Sequence, residues 1–161
     1  MKSANSNQLI KQIDDAISKA NKFVTASQQS LQLEMDSYLA QFLIVFICGI
    51  YEAIIEATVS EMARKSGSKE IESFAKNTMD SYFMNPNMDK VAKLIKKFEN
   101  QSWIDAINNL PPVNKSALTS ISQNKNGLAH GQSALNLTIS DVEKYYLDSK
   151  LVIEKIDELL L

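Results

Sequence analysis

With one histidine, one cysteine and one tryptophan in 161 residues, the chain has few places for side-chain chemistry. The stretch Asn124 to Gly131, NKNGLAHG, holds the histidine. Asn126 and His130 stand four apart, hence on one helix face, and Lys125 adjoins them in sequence. An imidazole titrates near neutrality and can pass a proton, and a lysine ammonium is a compact charge suited to a phosphate. Together they could cleave RNA without a metal: a base activates the ribose 2′-hydroxyl while a cation steadies the pentavalent phosphorane. The same spacing also fits an ordinary histidine at a helix end, where the dipole favours the charged ring. On spacing alone both readings stand.

Other residues offer less. Glu52 and Glu56 lie one turn apart, and such a pair could belong to a site or a metal. A metal needs further ligands that the sequence does not provide, so they are expected to line the polar edge of the fold or a cleft. Tyr145 and Tyr146 could stack on bases, yet at least one falls in an apolar stripe, and core packing is expected for Tyr145 and Trp103. Lys93, Lys96 and Lys97 make a small basic face, read as solvated surface that could extend an RNA track. Cys48, inside an apolar run, reads as a small structural apolar residue.

Composition narrows the classes. A formal charge of −2 gives no global attraction to nucleic acid or an anionic membrane, so any RNA contact must come from a local or dimer-generated basic patch. A lone cysteine excludes an intramolecular disulfide and makes a Cys/His metal cluster implausible, which points to the cytoplasm. The amino end, MKSANSNQLIKQ, lacks the apolar core of a secretory signal. The apolar run Phe42 to Ile50 is nine residues long and is followed by Glu52 and Glu56. A bilayer span needs about twenty apolar residues, so a buried helix is expected there and no membrane partner. One domain over residues 1–161, with no cofactor and no metal, is the expectation.

These residues must be positioned by helices. Prolines occur only at Pro86, Pro111 and Pro112, glycines are few, and no stretch sustains period-two alternation. Leu9, Ile13, Ile17, Ala20 and Val24 give a stripe for a first helix, roughly residues 6–32. A second, about 35–65, turns Leu39, Phe42, Leu43, Phe46 and Ile47 inward and stops before Gly67. A third, about 71–84, ends at the triplet Asn85 to Asn87, and short helices follow around Val91 to Phe98 and around Trp103 to Ile107. Asn114 caps a helix running to about His130, with Gly131 as its left-handed terminator and Gly127 suggesting a bend or an earlier end. After a loop, Ser140 and Glu143 form a capping box for the last helix, which reaches the chain end through Val142, Tyr146, Val152, Ile153 and Ile156. The predicted fold is all-α, an up-and-down bundle of four long helices with short helical inserts.

A long bundle, then KNGLAHG, a loop and TISDVEKYYLDSKLVIEKIDELL resembles the HEPN superfamily, in particular the HEPN domains of ribonuclease toxins and defence proteins. Their signature is an arginine, usually followed by asparagine, with four to six residues before a histidine, commonly RNxxAHG. Asn126, Ala129, His130 and Gly131 match it, and Lys125 occupies the arginine position.

The resemblance implies a homodimer in which two copies of the motif meet in one cleft that cuts RNA without metal, leaving a cyclic phosphate and a 5′-hydroxyl. On that pattern His130 is the acid or base, Lys125 contacts the scissile phosphate and Asn126 orients the pair. The departure is Lys125, because an ammonium cannot reproduce the two-bond grip of a guanidinium. With sixteen lysines and one arginine in the chain, lysine could have entered by drift and kept a weaker form of the role. The alternative is a catalytically lapsed HEPN module that pairs with an antitoxin, such as a nucleotidyltransferase, or with another defence subunit.

Overall fold

The computed structural model describes residues 1–131 and 137–161, with the backbone alone for residues 80–82. Among the described residues there are seven helices and no strand: α1 (Ala4–Ala26), α2 (Gln32–Arg64), α3 (Lys69–Tyr82), α4 (Met88–Lys96), α5 (Gln101–Asn108), α6 (Pro112–Ala129) and α7 (Ile139–Leu160). The long helices α1, α2, α6 and α7 form the bundle, α3 packs on α2, and α4 and α5 pack on each other and against α6 and α7 respectively.

Side-chain bonds fix the helix directions. Asp157 Oδ2 accepts the amides of Lys2 and Ser3, and Tyr146 donates to Asp14 Oδ1 at 2.6 Å, so α1 and α7 run antiparallel. Asp36 Oδ1 accepts the amide of Ile139 at 3.1 Å while Tyr51 and Ser149 share a hydroxyl bond at 2.9 Å, so α2 and α7 run parallel. Asn114 Nδ2 donates to the Asp148 carbonyl at 2.7 Å, near the start of α6 and the middle of α7, which sets those two antiparallel. The bundle is therefore up-and-down, as the sequence predicts.

The core is built from one stripe of each long helix: Ile13 and Ile17 of α1, Leu118 and Ile121 of α6, Val152 and Ile153 of α7, all buried around α2. Tyr51 and Tyr146 are the largest buried side chains, and each hydroxyl has a partner, as a buried phenol requires. Tyr145 and Trp103 are partly buried against this core. By length and composition α2 could cross a membrane, but half of its most apolar window is buried inside the bundle.

Four local expectations need correction. The first helix stops at Ala26, well before residue 32, because Thr25 and Ser27 turn their hydroxyls back to the carbonyls of Asn21 and Phe23, both at 2.8 Å, and compete with the helix ladder. The helix of the motif begins at Pro112 with Pro111 as the capping residue, and Asn114 sits buried in its first turn, occupied with Asp148. The capping box of α7 is Thr138 with Asp141, two positions before Ser140 and Glu143, which lets the buried Ile139 enter the helix. Phe42, expected inward, is 57% exposed. Helix α6 continues through Gly127 to Ala129, and Gly67 and Gly131 both take the left-handed conformation (φ 79° and 69°) expected of helix terminators. The expected loop after Gly131 falls largely outside the described residues.

Candidate functional site

Lys125 belongs to the last turn and a half of α6 and is half-buried. Its ammonium donates to Oδ1 of Asn85, the first residue of the turn between α3 and α4. Asn85 has φ 54°, a left-handed conformation that asparagine tolerates better than most side chains. The next two residues complete the turn: Pro86 is buried, and Asn87 caps α4 by accepting the Lys90 amide at 3.0 Å.

Asn85 is the hub of a cluster. Its amide donates to Oε1 of Glu52 on α2, and its carbonyl accepts from Ser122 Oγ at 3.3 Å, one turn before Lys125. The Cys48 thiol, one turn before Glu52, lies 3.9 Å from Asn85 Oδ1 and 4.0 Å from Glu52 Oε1. Lys90 donates to the carbonyl of Met84 and so braces the same turn from α4. An acid, a base, an amide and a thiol from three helices and a turn thus converge, and the ammonium keeps two further protons for an anion.

The thiol reports on this environment. Burial pushes the Cys48 pKa up from 9.0 to about 12, and the Glu52 carboxylate adds to the rise, while Lys125 and Lys90 oppose it. Cys48 is therefore a neutral thiol that donates weakly, as its structural reading requires. Because the folded value lies above the unfolded one, thiolate is suppressed roughly a thousand-fold between pH 7 and 9. Iodoacetamide should accordingly label the native protein at pH 8 some three orders of magnitude more slowly than the urea-unfolded chain. Comparable rates would place Cys48 outside this cluster.

The other motif residues sit elsewhere on α6. His130 is the residue that ends the helix, and its amide donates to the carbonyls of Asn126 and Gly127 at 3.1 and 3.2 Å. The side chains of Asn126 and His130 are exposed. Five helical positions separate Lys125 from His130, a turn of about 140° around the axis, so one points to the Asn85 cluster and the other away from it. A single copy therefore gathers Lys125 with Glu52, and leaves Asn126 and His130 open on the surface beside them.

Sequence reasoning named Lys125, Asn126 and His130 and gave Glu52 a minor part; it missed Asn85 and Ser122. The usable signal was Asn85-Pro86-Asn87, a turn whose first asparagine precedes a proline and so cannot continue α3. Among the described residues no three of His, Cys, Asp and Glu group as a metal set.

A face of α2 leads directly to this cluster. At about 100° per residue, Tyr38, Phe42, Val45, Gly49, Glu52 and Glu56 fall within one narrow sector of the helix. Tyr38, Phe42 and Val45 are exposed at 60%, 57% and 46%, an apolar strip on a surface where isolated apolar groups are the norm. Gly49 interrupts the strip in mid-helix, where glycine costs about 1 kcal/mol relative to alanine, yet a Cβ there would meet nothing within 4 Å. Nothing inside the monomer calls for a glycine at that point.

No curated protein and no solved structure matches the chain. The family model RiboL-PSP-HEPN matches residues 2–161, nearly the whole length. With the helical bundle in place and the motif carried on the penultimate helix, the chain belongs to the RiboL-PSP-HEPN family, a branch of the HEPN superfamily whose domains commonly dimerise and bind RNA.

Proposed function

We propose that the chain is a metal-independent RNA endonuclease of a toxin–antitoxin or antiviral defence system, with its active site assembled between two identical copies. The observation that carries this reading is the exposed strip of α2, which runs from Tyr38 through Val45 and Gly49 to Glu52 at the edge of the Lys125 cluster. Packing two such strips about a two-fold axis covers their apolar groups, and a glycine at the crossing lets two helix backbones approach closely. The two clusters and the two exposed histidines then lie near one axis. In the assembled cleft Lys125 holds the scissile phosphate, His130 moves the proton of the 2′-hydroxyl or the leaving oxygen, and Asn126 orients the pair. Two copies of Lys125 and Lys90 also double the local positive charge, which an acidic protein needs to hold RNA.

A specific observation favours a second reading. Lys125 is engaged with Asn85 and turned away from His130 within one copy, as fits a module that keeps the HEPN fold for association with an antitoxin or another defence subunit. The two readings separate on incubation of the purified protein with total RNA in excess chelator, followed by end-group analysis. The nuclease yields discrete fragments with cyclic phosphate and 5′-hydroxyl ends. Intact RNA, or cleavage that returns only with added metal, selects the association module or a different chemistry.

A further inference from the structure

Helices α3 and α4 both flank the second half of α2 but do not pack on each other among the described residues. Between them a cavity of about 470 Å³ opens over α2, within the roughly 300–1,000 Å³ of pockets that hold small ligands. Its floor is Val59, Met79 and Leu94, all buried, and Phe74 stands 72% exposed at its lining. One wall is cationic: Lys90, Lys93 and Lys97 of α4 are spaced three and four apart and so form a single row. Beyond these ammoniums the polar side chains are Ser66 and Thr78, and no carboxylate lines the cavity among the described residues.

We propose that this cavity binds a small amphipathic anion, an unbranched aliphatic tail carrying one terminal carboxylate. The wall has almost no hydrogen-bonding capacity, so the body of the guest must be apolar. Three like charges along one edge repel one another unless an anion lies among them, so the end of the guest must be negative. A partner's helix is the poorer fit: two turns, about 10 Å wide and 11 Å long, need more room than the cavity gives. The head group also has a route to the candidate site. Lys90 lines the cavity and donates to the Met84 carbonyl, one residue before the asparagine that holds Lys125 and Glu52. A carboxylate competing for Lys90 loosens that turn, so occupancy is coupled to the placement of Lys125. Binding itself does not depend on the nuclease reading.

The test is a fluorescence titration of the purified full chain with dansyl-labelled undecanoate, competed by dodecanoate and by dodecanol. Binding should saturate at one probe per chain, with dodecanoate displacing the probe about ten-fold better than the uncharged alcohol. Lys93→Glu with Lys97→Glu, both exposed positions, should weaken binding by about ten-fold or more, and Ala75→Trp should abolish it by filling the cavity. Should Ala75→Trp fail to fold, the lysine pair alone decides. Equal competition by dodecanol, unchanged affinity in the lysine pair, or displacement by an acidic amphipathic helical peptide at lower concentration than dodecanoate overturns the proposal. Amide NMR shifts should move at Asn85 and Lys125 on saturation; shifts confined to α3 and α4 would break the link to the site. RNA cleavage is measured separately, so loss of either property leaves the other readable.

Discussion

His130→Ala should lower RNA cleavage by roughly 10²–10⁴-fold, the usual span for one general acid or base, and leave the melting temperature unchanged. The side chain is exposed and ends its helix through its backbone alone, which alanine reproduces. Lys125→Ala should lose roughly 10²–10³-fold for want of the charge at the phosphate, whereas Lys125→Arg should keep cleavage, since a guanidinium supplies more donors from the same position. The measurement is initial rate on a labelled RNA with purified variants of matched melting temperature. Expression should mirror it, with growth arrest by wild type relieved by His130→Ala. Equal rates for wild type and His130→Ala would end the nuclease proposal, and equal rates for all three residues at position 125 would remove Lys125 from the mechanism.

The second large effect concerns association. Phe42→Lys with Val45→Lys should give a folded monomer, because both side chains already face water in the single copy and their loss takes nothing from the core. In a two-fold pairing of this strip each substitution recurs in the partner, so four buried ammoniums would oppose one another, far more than a dimer contact of ordinary strength tolerates. Light scattering should report half the wild-type mass, and cleavage should fall to background although Lys125 and His130 are intact. A monomer with full activity would show that the cleft needs only one chain.

How much of this was legible beforehand follows from what periodicity can carry. Helix α7 reads plainly because Val142, Tyr146, Ser149, Val152, Ile153 and Ile156 are buried on one side and polar residues occupy the other. Its start is misplaced because Thr138–Asp141 and Ser140–Glu143 are equally good capping pairs on paper, and only the packing of Ile139 chooses between them. Helix α2 is apolar nearly all round, so its pattern contains no inward direction, and Phe42 and Leu43 look alike until α1, α6 and α7 are placed around them. The motif on α6 was visible as a string of residue types. Its supports were not, because Asn85 meets Lys125 across forty positions and Glu52 across thirty-three, and no local rule relates residues so far apart.

That long reach has a consequence during synthesis. The turn at Asn85 emerges early, but its ammonium partner and the imidazole are encoded near the carboxyl end, and the helix that covers them comes later still. A nascent chain on the ribosome, surrounded by the densest RNA in the cell, therefore carries no assembled centre until translation is nearly finished. If the finished protein cuts RNA, the order of its own elements protects the machine that makes it.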